Sequence, residues 1–121
     1  MDSCEYWIAV CEKLNEAHRF ENTVERLGPY IERDVDRPWA YFIYGCALLR
    51  LERLAEAEEA LRTSYAASPD SFAYAFYLAQ ALLGQNRNDE ALEVIEPALE
   101  ADPDNPDLND LKSRIEESMR K

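Results

Sequence analysis

The sequence repeats itself at intervals of 34 residues. Pro69 and Pro103 are one interval apart, and Ala57 and Ala91 have the same separation. Apolar or small residues share this spacing in four further sets: Leu14, Leu48 and Leu82; Val10, Tyr44 and Leu78; Leu27, Leu61 and Ile95; Cys11, Gly45 and Ala79. A fixed period of this length is typical of repeat proteins, in which each unit buries its apolar face against its neighbours.

Each unit is predicted to be helical. Apolar residues recur three and four positions apart through most of the chain, and no segment alternates strictly every two residues as a half-buried strand does. Asp, Ser or Asn can cap a helix, and Pro can occupy its first turn, at four predicted starts: 37–38, 69–71, 88–90 and 104–106. Pro29 and Pro97 fall inside predicted helices, and we expect each to bend its helix.

These repeated residues resemble the tetratricopeptide repeat family, whose unit is two antiparallel helices in 34 residues. The middle unit matches the family pattern at Tyr41, Tyr44, Gly45, Leu48, Ala57, Leu61, Ser64 and Pro69. The third unit matches it at Ala75, Leu78, Ala79, Leu82, Ala91, Ile95, Ala98 and Pro103. The first unit diverges most, because it has Thr23 in place of Ala and Val35 in place of the closing Pro.

The resemblance implies an all-α, right-handed helical-repeat solenoid of seven helices in a single domain. Its expected parts are three repeats and a capping helix, at 4–37, 38–71, 72–105 and 106–120. The capping helix has one apolar stripe, formed by Leu108, Leu111, Ile115 and Met119. Such a helix can cover the open side of the last repeat. Nothing equivalent precedes Cys4, so the first repeat is expected to have an uncovered face.

Acidic residues outnumber basic residues by 25 to 13, which gives a formal net charge of −12. This charge disfavours binding to nucleic acid or to anionic membranes, and it favours basic partners. The third repeat contains seven acidic residues and one basic residue. Its acidic helix is interpreted as a solvated outer face, with a docking patch for a basic partner as the second interpretation.

The sequence also predicts a cytoplasmic protein. Its N-terminus is acidic where a secretory signal would be basic, and its longest apolar run is far shorter than the roughly 20 residues of a membrane span. Three cysteines, an odd number, favour a reducing compartment over a disulfide framework.

In the tetratricopeptide repeat family, the first helices of the repeats line a concave groove. Carried over by position, this implies a groove lined by Trp39, Phe42, Ile43, Cys46, Leu49 and Arg50 from the middle repeat, by Ala73, Phe76, Tyr77, Gln80, Leu83 and Gly84 from the third, and by Glu5, Ile8, Ala9, Glu12, Asn15 and Glu16 from the first. The groove would have an apolar centre and acids at one end. Burial of these apolar residues in an ordinary core is the alternative interpretation.

One subfamily grips the acidic C-terminal tails of heat-shock chaperones with a clamp of Lys, Asn and Arg. The corresponding positions are occupied here by Ile8, Glu12, Ile43, Ala73 and Tyr77. An acidic chaperone tail is therefore not the expected partner. The expected function is that of an adaptor or chaperone that binds an amphipathic, basic peptide or helix of a partner protein in the groove. The alternative is a homo-oligomer, such as a homodimer, formed through Tyr6, Trp7 and Ile8 on the first repeat.

No enzymatic activity, cofactor or metal is expected. His18 is the only histidine, and no serine or paired-cysteine motif accompanies it. Cys46 has no base near it in the sequence pattern, so packing is a better interpretation than nucleophilic catalysis. Asp102, Asp104 and Asp107 lie close together but lack the glycine and distal glutamate of a calcium loop.

Overall fold

Six helices follow one another in the parts of the chain that the computed structural model describes, namely Lys13, residues 19–32 and residues 38–120. They are α1 (Phe20–Glu32), α2 (Pro38–Arg50), α3 (Leu54–Ala67), α4 (Phe72–Gly84), α5 (Asn88–Ala101) and α6 (Pro106–Met119). The helices α2, α4 and α6 begin 34 residues apart, and so do α1, α3 and α5. The predicted all-α repeat fold is confirmed. The remaining predicted helix, the first of the seven, lies outside the described residues except for Lys13, which is helical.

The described helices form a row of antiparallel pairs. Each helix packs against the next one along the chain. The helices α2, α4 and α6 also contact one another in order, whereas no Cα atoms of α1, α3 and α5 approach within 8 Å of each other. Because α2, α4 and α6 crowd together while α1, α3 and α5 are spread apart, α2, α4 and α6 form the inner side of the stack.

Small residues allow the paired helices to approach closely. Gly45 of α2 lies directly against Leu61 of α3, and a Cβ atom at Gly45 would be 2.6 Å from the Leu61 Cγ. Ala79 and Ala91 are fully buried at the corresponding contact of α4 and α5. The core continues through Leu48, Leu78, Leu82 and Ile95 to the capping residues Leu108, Leu111 and Ile115. Met119, the last residue of the predicted apolar stripe, is instead exposed.

The turns inside the two described repeats have the same geometry. Glu52 and Asn86, which are 34 positions apart, both have a φ of 61°. In each turn the next backbone N–H returns to the preceding helix, where Arg53 donates to Leu48 over 2.9 Å and Arg87 donates to Leu82 over 3.0 Å. This left-handed turn residue is a common way to end a helix.

Two of the predicted helix caps are confirmed. The Ser71 hydroxyl accepts a hydrogen bond from the Tyr74 N–H over 3.5 Å. The side-chain oxygen Oδ1 of Asn105 accepts hydrogen bonds from the N–H groups of Asp107 and Leu108 over 3.0 and 3.1 Å. The cap predicted at Asn88 is wrong. The left-handed turn places Asn88 inside the first turn of α5. Arg87 therefore precedes the helix, and it makes no side-chain cap hydrogen bond.

Proline does not end either helix that contains it. Pro29 lies inside α1, and Pro97 lies inside α5. Among the described residues, no helix combines the length and apolar character that crossing a membrane requires.

Candidate partner-binding groove

Six aromatic rings form a continuous cluster on the inner side of α2 and α4. We call it the aromatic cluster, and it consists of Trp39 and Phe42 from α2 and Phe72, Tyr74, Phe76 and Tyr77 from α4. Helical spacing of three and four places neighbouring rings on one face of each helix. Centroid separations are 5.1 Å for Trp39–Phe42, 5.2 Å for Phe42–Tyr74, 5.5 Å for Phe42–Tyr77, and 5.3 Å for both Phe72–Phe76 and Phe76–Tyr77.

The aromatic cluster is only partly covered. Trp39 is 44% exposed and Phe72 is 38% exposed, while the other four rings are half-buried. Ring pairs at these separations are mutually attractive, so the half-buried rings hold the exposed ones in position. The result is an apolar surface of packed rings that still has aromatic area to bury.

The predicted groove residues have different environments in the structure. Phe42, Cys46, Leu49, Phe76, Tyr77, Gln80 and Leu83 are half-buried on α2 and α4. Ile43 differs, because it is only 4% exposed and therefore belongs to the core rather than to a contact surface. All six residues predicted from the first repeat lie outside the described part of the chain, namely Glu5, Ile8, Ala9, Glu12, Asn15 and Glu16.

Two residues of the aromatic cluster, Phe72 and Tyr74, were not predicted as groove residues. They occupy the first and third positions of the repeat, which the family's groove positions do not include. Their spacing from Phe76 and Tyr77, four and three residues, is the signal that places them beside those rings.

A cleft of about 780 Å³ opens at the other end of α2 and α4. We call it the arginine cleft, and it is lined by Leu49, Arg50, Glu52, Leu54, Gln80, Leu83, Gly84 and Arg114. The cleft brings Arg114 of α6 together with five residues that were predicted to line the groove, namely Leu49, Arg50, Gln80, Leu83 and Gly84. The inner side of the stack therefore has an aromatic end and an end that contains two guanidinium groups.

Cys46 lies between these two ends of α2. Burial raises the pKa of its thiol to about 12, although the positive charge of Arg50 acts in the opposite direction. The thiol is therefore protonated at neutral pH and is a poor nucleophile. Within residues 19–32 and 38–120, no group of three or more His, Cys, Asp or Glu side chains is placed to hold a metal ion.

A polar network outside the groove links the repeats, and sequence reasoning missed it. Glu58 of α3 accepts hydrogen bonds from Arg62 over 2.8 Å, from Gln85 over 3.1 Å and from Arg87. One period before and after Glu58, the corresponding positions are occupied by the apolar residues Val24 and Leu92. A charged residue at a position that is apolar in the other repeats is the signal that could have revealed this network. Burial raises the pKa of the Glu58 carboxyl, but the hydrogen bonds from Arg62 and Gln85 and the charges of Arg62 and Arg87 outweigh it and hold the pKa below its usual value.

Solved tetratricopeptide repeat structures have the same fold. The first TPR of Spaghetti (RPAP3), bound to the HSP90 peptide SRMEEVD, superposes with a TM-score of 0.87 at 16% identity, over 98% of this chain and 94% of that chain. The first TPR domain of human RPAP3 gives 0.85 at 16% identity, over 97% and 92%. The Arabidopsis OM64 TPR domain gives 0.85 at 16% identity, over 95% of each chain.

Sequence comparison gives the family directly. No curated protein matches the sequence. The family model described as tetratricopeptide repeat matches residues 48–115, which is more than half of the chain. The chain belongs to the tetratricopeptide repeat family.

Proposed function

We propose that this protein is an adaptor or chaperone that binds an amphipathic segment of a partner protein along the inner side of α2, α4 and α6. The proposal rests on the aromatic cluster, in which Trp39 and Phe72 remain exposed although the other four rings are packed around them. The resemblance of the whole fold to protein-interaction domains supports the general class of function.

The aromatic cluster has the properties of an anchoring surface. Burial of exposed aromatic area contributes about 25 cal/mol per Å², and aromatic residues are frequent among those that dominate binding energies. Part of this gain is offset by the cost of ordering the partner segment. The rings are already held by their neighbours, so little of that cost falls on the groove itself.

We also propose that the partner segment is basic overall and that an acidic chaperone tail is not the ligand. The net charge of −12 attracts basic segments. Spaghetti binds an acidic HSP90 peptide, but the positions that would form such a clamp in this chain include Ile43, Ala73 and Tyr77, none of which is positively charged. The SRMEEVD peptide is therefore expected not to bind measurably.

A peptide selection tests the proposed function. The full chain would be used to select binders from a displayed random library of peptides, and the affinity of an enriched synthetic peptide would be measured by fluorescence anisotropy. Trp39→Glu and Phe76→Glu are expected to weaken binding at least about tenfold, since each puts a charge into an apolar contact. Ala66→Glu makes the same charge change at an exposed position of α3 and is expected to bind like the wild type.

Circular dichroism would show that each variant keeps its helical content. If folded Trp39→Glu and Phe76→Glu bind the peptide as the wild type does, the proposed function is wrong. Sedimentation equilibrium of the wild-type chain tests the alternative of self-association, and a monomer at all concentrations would exclude it.

A further inference from the structure

The arginine cleft differs in charge from the rest of this acidic chain. Arg50 projects from the last turn of α2, and Arg114 comes from the middle of α6. Both arginines are exposed and line one cleft of about 780 Å³, whose other walls include Leu49, Gln80 and Leu83. Residues 64 positions apart in the chain are thus brought to the same cavity.

These two arginines are not neutralised within the described residues, unlike three others. Arg53 pairs with Glu56 over 2.7 Å, Arg62 pairs with Glu58 over 2.8 Å, and Arg87 pairs with both Glu58 and Glu90. For Arg50 and Arg114, no described carboxylate oxygen lies within the 4.0 Å of an ion pair, and this includes Glu52, which lines the same cleft.

The local charge of the cleft decides what can bind there. At physiological ionic strength the Debye length is about 8 Å, so carboxylates farther away than this act weakly at the cleft. Among the described residues, two guanidinium groups and one carboxylate line the cleft, which gives its lining a positive balance. Guanidinium groups favour carboxylates as partners, because several N–H donors can converge on the two carboxylate oxygens.

We propose that the arginine cleft binds the side-chain carboxylate of an Asp or Glu in the same partner segment whose apolar side chains contact the aromatic cluster. This inference rests on the proposed function and adds which chemical group each end of the bound segment presents. One end of the bound segment is apolar, and the other end presents an acid to Arg50 and Arg114. The segment as a whole remains amphipathic.

The structure also sets the spacing of the two partner groups. Phe42 and Arg50 are eight residues apart on α2, which corresponds to about 12 Å along the helix axis. An extended peptide covers this distance in about four residues. The partner segment is therefore expected to have an Asp or Glu about four residues from an aromatic or large aliphatic side chain.

The test uses the full chain and a synthetic peptide from the selection described above, with a free and with an amidated C-terminus. Arg50→Glu and Arg114→Glu are each expected to weaken binding about 5- to 30-fold, whereas Lys112→Glu, the same charge change on α6 outside the cleft, is expected to change it less than about twofold. Replacing the peptide's acid with Lys is expected to restore binding to Arg114→Glu while weakening binding to the wild type.

Three results would overturn this inference alone. The first is enrichment of peptides that have no acid at the expected spacing. The second is unchanged affinity of Arg50→Glu and Arg114→Glu while Trp39→Glu loses binding. The third is an affinity that depends on the free C-terminus instead of the side-chain acid. If Trp39→Glu also binds the peptide with wild-type affinity, or if no peptide is enriched, both this inference and the proposed function are wrong.

Discussion

Arg87 donates a hydrogen bond from its guanidinium to the Glu58 carboxylate, and this contact ties the turn before α5 to α3 of the preceding repeat. Gln85 and Arg62 complete the network around the same carboxylate. The Glu58 side chain is only 12% exposed, so its charge depends on these partners for stabilisation. A single acidic residue therefore links two repeats, which are also joined by the Arg62–Glu90 ion pair over 3.3 Å and by apolar contacts.

Glu58→Gln is expected to destabilise the protein by about 1–3 kcal/mol at pH 7, because two arginines lose a charged hydrogen-bond acceptor in a nearly buried position. Urea unfolding followed by circular dichroism measures this free energy. Glu59→Gln, at the exposed neighbouring position, is the control and should change it by less than about 0.5 kcal/mol. Equal effects of the two substitutions would contradict a stabilising role for the network.

The same carboxyl predicts a dependence on pH. Its folded pKa lies below the usual value of 4.5, so its contribution is complete above that value and is lost as the pH falls through the folded pKa. Between pH 7 and about pH 3, the wild type should therefore lose more unfolding free energy than Glu58→Gln. Parallel pH profiles for the two proteins would show that Glu58 does not contribute.

Gly45→Ala is expected to destabilise the protein by about 1–3 kcal/mol through overpacking. The new Cβ would lie 2.6 Å from the Cγ and 2.9 Å from the Cδ2 of Leu61, which is fully buried, so any shift of Leu61 would disturb the core around it. Gly28→Ala is the matched control, because among the described residues a Cβ there would meet only Tyr44, at 3.8 Å or more. It should change the stability by less than about 1 kcal/mol, because the helix preference of alanine is opposed by the restriction that Pro29 places on the residue before it. Thermal unfolding measures the stability of both variants. If Gly45→Ala is as stable as the wild type or more stable, the predicted overpacking against Leu61 is wrong.

Glu52→Asn is expected to stabilise the protein by about 1 kcal/mol, since asparagine adopts a left-handed conformation more readily than glutamate. The chain contains its own reciprocal control. Asn86 has the same φ of 61° in the next repeat, so Asn86→Glu should destabilise the protein by a similar amount. Chemical unfolding gives the free energy of unfolding of both variants. If the two substitutions change this free energy in the same direction, the explanation is wrong.

The Cys46 thiol should react slowly in the folded protein. With a pKa of about 12 against an ordinary value of 9.0, the thiolate at pH 8 is about a thousandfold scarcer than in an unfolded chain. A variant in which Cys4 and Cys11 are replaced by Ser isolates this thiol. Its reaction with a disulfide reagent should be at least about a hundredfold slower in buffer than in urea, and similar rates would show that the thiol is accessible.

Much of the fold follows from local pattern. The 34-residue period places Leu48 and Leu82 in the core and small residues at the close contacts, because the same packing problem recurs in each repeat. Ser71 and Asn105 cap their helices as their side-chain chemistry favours. The Asn88 cap failed because the turn at Asn86, with its φ of 61°, makes Arg87 the residue that precedes α5.

The period and the apolar spacing were sufficient to predict an all-helical repeat protein, and the resemblance to the tetratricopeptide repeat family implied which helices form its inner side. These properties depend on residues three, four or 34 positions apart, which a linear sequence displays directly. Other features required the folded chain. The burial of Ile43, the acceptance of Glu58 into a nearly buried network and the convergence of Arg50 and Arg114 depend on contacts between helices. Charge and burial are set by neighbours in space, so only the tertiary structure determines which exposed rings and which arginines share one groove.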